Sequence, residues 1–159
     1  MKAISKNGLL VLALAAILLR PAAVGADHLP AVQILDADQL KAWIDQGNKM
    51  LLVDSRVASE YNEGHIPTAI SIPAPVMDQY REKLPSDHNY PLVFYCNGWP
   101  ECKKSHDASS KAVEWGYGQV YWFRDGIPVW EAKGYPIEGR SPDVAGGTVK
   151  GAKRPDCCP

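Results

Sequence analysis

The fold is decided by a stretch that reads Leu92-Val93-Phe94-Tyr95-Cys96-Asn97-Gly98-Trp99-Pro100-Glu101-Cys102-Lys103-Lys104-Ser105. Its first four residues form a continuous apolar run, which is typical of a parallel strand buried on both faces. From residue 103 to residue 115, small and apolar residues recur at a spacing that predicts a helix, and Gly116 terminates it. The stretch therefore predicts a strand that ends directly on Cys96, followed by a loop and a helix.

The rest of the chain repeats this alternation of strand and helix. The predicted strands span residues 32–35, 50–53, 69–72 and 120–123, and the predicted helices span residues 36–46, 75–84 and 128–133. Asp36 or Asp38 is the N-cap of the first helix. Such alternation predicts an α/β fold with a central, mostly parallel sheet and helices on both faces. Ligands of these sheets bind beyond the carboxyl ends of the strands, where Asp54 and Cys96 each follow a buried run.

Length and composition favour an ordinary folded protein with a single domain. The chain has 159 residues, of which 46% are hydrophobic and 22% charged, and its net charge is -1. This balance gives no electrostatic reason to expect a nucleic-acid partner. The sequence gives no indication of the oligomeric state.

The first 26 residues have the pattern of a secretory signal peptide. Lys2 and Lys6 precede an apolar run over residues 9–19, and Val24-Gly25-Ala26 follows. That run is well short of the roughly 20 residues needed to cross a bilayer, so an uncleaved anchor is the weaker alternative. We expect cleavage after Ala26, a periplasmic or secreted protein, and no stable membrane span after cleavage.

The mature chain is predicted to consist of a domain over residues 32–139 and a flexible tail over residues 140–159. The tail is rich in Gly, Pro and Lys and ends in Cys157-Cys158-Pro159. Together with Cys96 and Cys102, these cysteines would meet an oxidising compartment after export, where disulfides are possible. The sequence leaves their pairing open, and Cys157 and Cys158 could also bind a soft metal, relay sulfur, or lie in an unstructured terminus.

Cys96 is the candidate reactive cysteine. In a loop between a strand and a helix, successive backbone N–H groups can point inward beside the helix N-terminus, which favours an anion there. The same dipoles would stabilise a thiolate, which is the nucleophilic form of cysteine. The alternative is a buried structural cysteine, because free cysteine is among the most buried residue types.

Several motifs in order resemble the rhodanese family over residues 34–137. They are Leu51-Leu52-Val53-Asp54-Ser55-Arg56, Glu60-Tyr61-Asn62-Glu63-Gly64-His65-Ile66-Pro67-Thr68-Ala69, the strand and loop around Cys96, and a closing pattern of residues 116–122, Gly126, Trp130 and Gly134-Tyr135-Pro136. The resemblance implies a central parallel sheet and a catalytic Cys96 that accepts sulfane sulfur as a persulfide. It also implies a sulfane-sulfur donor, a thiol or protein acceptor, and no metal or organic cofactor.

The resemblance assigns the active-site loop and a set of supporting residues. The loop comprises Asn97, Gly98, Trp99, Pro100, Glu101, Cys102, Lys103, Lys104 and Ser105. We expect Asp54, Arg56 and His65 to be structural rather than catalytic. An aspartate at a strand end can accept hydrogen bonds from backbone and arginine, and the turn around His65 suggests an orienting hydrogen bond.

The loop departs from the family pattern in two ways. Family loops commonly carry an arginine that holds an anionic donor such as thiosulfate, whereas this loop offers Lys103 and Lys104, which are flexible point charges. The loop also contains Cys102, and thereby resembles an exported variant group with a Cys-x5-Cys loop. Besides a sulfurtransferase, the sequence therefore leaves open a thiol–disulfide redox protein that uses Cys96 and Cys102, and a non-catalytic binding module.

Overall fold

A computed structural model describes residues 32–139 of the chain. A five-stranded sheet forms its centre, with strand order β1-β5-β4-β2-β3 and every pair of neighbours parallel. The strands are β1 (Gln33–Ile34), β2 (Leu51–Asp54), β3 (Ile70–Ser71), β4 (Leu92–Tyr95) and β5 (Val120–Phe123). The helices are α1 (Ala37–Asp45), α2 (Ala58–Glu63), α3 (Lys104–Glu114) and α4 (Gly126–Ala132). The predicted α/β fold class is confirmed.

Residues on alternating sides of the strands pack into two hydrophobic cores. Leu52 and Val93 lie opposite each other in neighbouring strands and belong to the core that contains residues of α1 and α4. Val53 and Phe94, one residue further along, belong to the core that contains residues of α3. The sheet is thus covered on both faces, which explains why β2 and β4 read as continuous apolar runs.

The start of α1 is fixed by Asp36 rather than Asp38. Asp36 accepts a hydrogen bond from the backbone N–H of Gln39, whose side chain accepts one from the Asp36 N–H in return, so the two form a capping box. Asp38 lies in the first turn and accepts hydrogen bonds from Lys133 and Tyr135 near the other end of the domain. The two aspartates therefore have separate roles.

Four elements differ from the sequence prediction. Residues predicted as an ordinary helix over 75–84 form a 3₁₀ segment, Ala74–Lys83, whose backbone leaves helical angles at Val76 and Tyr80. Helix α2 was not predicted, because it is short and none of its residues is buried, so it carries no apolar periodicity. Helix α4 begins at Gly126, two residues before the predicted start. Asp54 is the last residue of β2 rather than the residue after it.

The predicted signal peptide, residues 1–26, and the predicted tail with Cys157 and Cys158 lie outside the described residues. Within residues 32–139, none of the helices has the length and apolar character required to span a membrane. The ends of β2, β4 and β5 meet at one edge of the sheet, and the loop that joins β4 to α3 begins there with Cys96.

Candidate active site

Cys96 follows β4 directly, and only 1% of its surface is exposed. Its sulfur has hydrogen-bond partners from the start of α3 and from the preceding loop. The Ser105 hydroxyl donates to Cys96 Sγ at 3.1 Å, and in its protonated form the Cys96 thiol can donate to the backbone oxygen of Cys102 at 3.4 Å. We call residues 96–103 the cysteine loop, because they surround the Cys96 sulfur.

The surroundings of Cys96 favour its ionised form. A hydrogen bond from the Cys102 thiol is the largest cause, and further donors are the Ser105 hydroxyl and the backbone N–H groups of Ser105 and Gly98. Burial acts in the opposite direction, because it disfavours charge. The hydrogen bonds outweigh burial and lower the pKa of Cys96 to about 6. At neutral pH the side chain is therefore mostly thiolate, which is the nucleophilic form.

Cys102 is the complementary member of a thiol pair. It is as buried as Cys96, and its backbone N–H donates to the oxygen of Gly98 at 2.8 Å, which closes the loop on itself. Its hydrogen bond to Cys96, followed by burial and the negative charge of Cys96, raises the pKa of the Cys102 thiol. The two cysteines are not joined by a disulfide in the structure, and their opposite pKa shifts favour a thiolate on Cys96 beside a protonated Cys102 thiol.

Ser105 connects Cys96 to the neighbouring strand. The indole Nε1 of Trp122, on β5, donates to Ser105 Oγ at 2.9 Å, and that hydroxyl in turn donates to Cys96. Trp122 lies opposite Phe94 in the sheet, on the face that α3 covers, and is 8% exposed. The sequence prediction included Ser105 in the loop but missed Trp122. The alternation of side chains along β5, which places Val120 and Trp122 on one face, is the signal that could have suggested it.

The segment after β5 holds the cysteine loop through its backbone. The N–H of Trp99 donates to the oxygen of Arg124 at 2.9 Å, and the N–H of Ile127 donates to the oxygen of Cys96 at 3.0 Å. These bonds fix both the first residue of the loop and its outer turn. They show why the residues between β5 and α4 belong to the site although they are far from Cys96 along the chain.

Two glycines allow this close approach. Gly98 and Gly126 have positive φ angles of 91° and 67°. A side-chain carbon at Gly98 would lie 2.6 Å from the oxygen of Asp125, and one at Gly126 would lie 2.4 Å from the oxygen of Cys96. Both contacts are with backbone, which cannot move aside, so glycine is required at both positions.

The outer part of the cysteine loop is exposed. Trp99 is 43% exposed and meets the Trp122 ring edge-on at 5.8 Å between centroids. The Lys103 amine lies 5.9 Å from the centre of the Trp99 ring, close enough for a cation–π contact. Pro100 and Glu101 are exposed at the tip. The loop thus presents an aromatic surface with a positive charge beside it.

The inner side of the loop is tied to α2. The Asn97 side-chain amide donates to Glu60 Oε1 at 2.5 Å, and the Lys104 amine lies 3.8 Å from Glu60 Oε2. Glu60 is the first residue of the motif over residues 60–69, for which no role of Glu60 was predicted. Because α2 itself was not predicted, no sequence signal placed Glu60 beside the loop. The two lysines that could supply positive charge here thus both have contacts, Lys104 with this carboxylate and Lys103 with an aromatic ring.

Asp54 and Arg56 form a buried ion pair at the same edge of the sheet. Arg56 Nη2 lies 2.6 Å from Asp54 Oδ2, and the same nitrogen donates to the oxygen of Gly64 at 2.7 Å. The Asp54 side chain is fully buried and that of Arg56 is 7% exposed. The guanidinium also lies 5.9 Å from the centre of the Tyr95 ring, next to Cys96 in the chain. The pair therefore links β2, the end of α2 and β4.

His65 contacts a different set of residues. Its ring stacks on Tyr61 at 3.7 Å, and Nδ1 donates to the Tyr61 oxygen at 2.9 Å. Its backbone exchanges two hydrogen bonds with Glu138, both at 2.9 Å. These contacts join α2 to the end of the described chain. Within residues 32–139, no group of three or more histidine, cysteine, aspartate or glutamate side chains is arranged to hold a metal ion.

Comparisons with known proteins agree with this fold. A protein named sulfurtransferase from Allochromatium vinosum is 30% identical over 106 residues, which cover 67% of this chain and 94% of that protein. The tRNA uridine(34) hydroxylase of Yersinia pestis is 36% identical over 100 residues, and the match spans only 26% of that enzyme. A crystal structure of a Bacillus halodurans protein superposes with a TM-score of 0.60 at 30% identity and covers 67% of this chain and 77% of its own.

Family membership follows from a separate match along the chain. Residues 36–133 match the rhodanese-like domain family. The matched region begins at the N-cap of α1 and ends just after α4, so it contains β2 through β5 and the whole cysteine loop. The chain therefore belongs to the rhodanese-like domain family.

Proposed function

We propose that the protein is an exported sulfurtransferase that carries sulfane sulfur as a persulfide on Cys96. The single observation that carries the proposal is the environment of the Cys96 sulfur, which is buried, receives several hydrogen bonds and has a pKa of about 6. A thiolate held among N–H and O–H donors is suited to attack sulfur and to keep the negative charge of the resulting persulfide. Membership of the rhodanese-like family supports this chemistry.

The reaction has two balanced steps. The Cys96 thiolate attacks the outer sulfur of a donor persulfide, R–S–S⁻; a new S–S bond forms on Cys96, the donor S–S bond breaks, and R–S⁻ leaves. An acceptor thiolate then attacks the outer sulfur of the Cys96 persulfide, takes it, and releases the Cys96 thiolate. The donors around Cys96, Ser105 Oγ and the N–H groups of Gly98 and Ser105, stabilise the anion in both steps.

The charges of the loop favour a thiol persulfide or a polysulfide over thiosulfate as donor. Lys103 lies over the Trp99 ring and Lys104 lies near Glu60, so neither is a free cation aimed at a doubly charged anion. The loop also lacks the forked guanidinium that binds such an anion in two places. The location proposed for the protein, periplasmic or secreted, rests on the pattern of residues 1–26.

Mass spectrometry of the protein after exposure to a polysulfide tests the proposal. We expect a gain of one sulfur on the peptide that contains Cys96 in wild-type protein and no gain at that peptide in Cys96→Ser. Addition of a small thiol should then remove the sulfur and return the original mass. Equal loading of wild type and Cys96→Ser would overturn the proposal, and an unreactive Cys96 would favour a binding module instead.

A second candidate, a thiol–disulfide redox protein, is favoured by one observation. Cys102 is buried beside Cys96 and its thiol donates a hydrogen bond to the Cys96 sulfur. In this alternative the two cysteines would cycle between a dithiol and a disulfide by exchange with a partner dithiol. Cys102→Ser separates the two functions: it should abolish disulfide cycling, while Cys96 should still accept sulfur if the protein is a sulfurtransferase.

A further inference from the structure

Trp122 contacts the site through Ser105 and through the Trp99 ring, and has no part in the chemistry described above. It lies on β5, and its indole N–H donates to Ser105 Oγ at 2.9 Å. Ser105 is 1% exposed, and its hydroxyl donates to Cys96 Sγ at 3.1 Å. The three groups form a buried relay that runs from β5 through α3 to the reactive sulfur.

The direction of this relay follows from what each group can donate. An indole N–H has one hydrogen and no acceptor, whereas a hydroxyl has one hydrogen and two lone pairs. Because Trp122 can only donate, it must occupy a lone pair of Ser105 Oγ. That leaves the hydroxyl hydrogen free, and Cys96 Sγ is the acceptor it meets.

The next serine along α3 shows what Ser105 would otherwise do. Ser109 lies one turn later on the same helix, and its hydroxyl donates back to the oxygen of His106 at 2.8 Å. Such a bond to the backbone is the ordinary choice of a helical serine. Ser105 instead directs its hydrogen out of the helix, toward Cys96, and differs from Ser109 in receiving the Trp122 indole.

We propose that Trp122 is a positioning residue for Cys96, which commits the Ser105 hydroxyl to donate to the Cys96 sulfur. The inference rests on the proposed role of Cys96 as the reactive thiol, and it adds the residue that orients one of its donors. Trp122 does not touch the transferred sulfur. It acts through Ser105, so loss of its N–H should raise the pKa of Cys96.

The titratable groups around the relay must be separated from this effect. Cys102 donates to Cys96 from the cysteine loop, and Lys104 at the start of α3 lies near Glu60. The His106 ring lies edge-on to Trp122 at 5.2 Å between centroids. His106→Gln is therefore needed as a control, because a change of charge on that ring would reach Trp122 directly.

The test is a pH titration of Cys96 in the whole protein without any sulfur donor. The alkylation rate of the peptide that contains Cys96 is measured at each pH. Trp122→Phe should raise the pKa by several tenths of a unit, and Ser105→Ala by about one unit, a tenfold loss of thiolate below the pKa. In the Ser105→Ala background, Trp122→Phe should add nothing. The inference would be overturned if Trp122→Phe left the pKa of Cys96 at its wild-type value. It would also be overturned if Trp122→Phe raised that pKa equally in wild-type protein and in Ser105→Ala.

Trp130→Phe is the matched control. Trp130 is fully buried in the core on the α1 side, and its indole N–H donates to the oxygen of Pro136 at 2.7 Å. Like Trp122→Phe, this variant replaces an indole by a phenyl ring and loses one hydrogen bond. The pKa of Cys96 should nevertheless stay at its wild-type value. If Trp130→Phe shifts the titration as much as Trp122→Phe, general loosening explains both and the proposal fails.

A measurement on wild-type protein serves if Trp122→Phe does not fold. In NMR spectra, the chemical shift of the Trp122 indole N–H should change with the ionisation of Cys96 in the wild type and in His106→Gln. In Ser105→Ala this pH-dependent change should be absent. A resonance that is insensitive to Cys96, or that follows His106 alone, would contradict the relay. Because none of these titrations uses a donor, they remain informative even if Cys96 fails to load sulfur.

Discussion

Asn97 of the cysteine loop donates its side-chain amide to Glu60 of α2 at 2.5 Å, so a six-residue helix restrains the residue after Cys96. Glu60→Ala should lower the free energy of unfolding by about 1 kcal/mol and reduce the alkylation rate of Cys96, because the loop loses this restraint. Glu60→Gln keeps an acceptor and should behave almost like wild type, since the Lys104 contact at 3.8 Å contributes little. Glu63→Ala, an exposed carboxylate on the same helix, is the control. Equal effects at both positions would contradict this role.

The reactivity of Cys96 should depend on pH at lower values than that of an ordinary thiol. The donors around its sulfur lower the pKa to about 6, compared with about 8.5 for a free cysteine. Alkylation of the Cys96 peptide by iodoacetamide should therefore reach half its maximal rate near pH 6. Ser105→Ala should move this midpoint upward. A midpoint near that of free cysteine in wild-type protein would show that the site does not stabilise the thiolate.

The same shift predicts how stability depends on pH. Because the folded pKa of Cys96 lies below its unfolded value, the thiolate stabilises the fold fully above about pH 8.5, and this contribution is lost as the pH falls through about 6. Cys102 has a raised pKa, so it adds an opposing slope only as the pH approaches and exceeds its unfolded value of about 8.5. The free energy of unfolding of wild type, relative to Cys96→Ser, should thus rise with pH between these values. Parallel pH profiles for the two proteins would contradict the linkage.

Much of the fold could be predicted because the central strands are buried on both faces. β2, β4 and β5 appear in the sequence as short apolar runs, and their order with helices between them indicates a parallel sheet. The elements that were missed or altered lie where this signal is weak. Helix α2 has no buried residue, and the 3₁₀ segment Ala74–Lys83 contains two residues with non-helical backbone angles. Neither feature leaves a periodic pattern.

The candidate site could be predicted where it is local in sequence. Cys96, Cys102 and Ser105 lie within ten residues of one another, so the strand, loop and helix pattern places them together. Glu60 and Trp122 are brought to the loop by elements 37 residues before Asn97 and 17 residues after Ser105. Their contribution depends on tertiary packing, which a single sequence does not display. The absence of an arginine from the loop can be seen in the sequence alone, whereas the contacts of Lys103 and Lys104 can be seen only in the structure.

Gly126 should be among the least replaceable residues of the domain. It has a φ of 67°, and a side-chain carbon there would lie 2.4 Å from the oxygen of Cys96 and 2.5 Å from the nitrogen of Gly98. Gly47 has nearly the same φ, 66°, with nothing within 4 Å of such a carbon. Gly47→Ala should cost about 1 kcal/mol for the backbone angle alone. Gly126→Ala should cost clearly more and lower the reactivity of Cys96. Equal losses of stability would mean that the loop tolerates the clash.

The Asp54 and Arg56 pair should be sensitive to the removal of one partner. Nη2 of Arg56 lies 2.6 Å from Asp54 Oδ2, and both side chains are nearly inaccessible to water. Arg56→Met leaves the Asp54 carboxylate buried without its partner and removes the hydrogen bond to the Gly64 oxygen. Loss of one member of a buried pair costs about 3–5 kcal/mol, because the remaining charge has no compensation. Chemical unfolding measures this loss, and the exposed pair of Lys41 and Asp45 gives a contrast, since Lys41→Met should cost less than about 1 kcal/mol. If both substitutions cost the same, the buried pair does not hold β2 to the end of α2 in the way the geometry indicates.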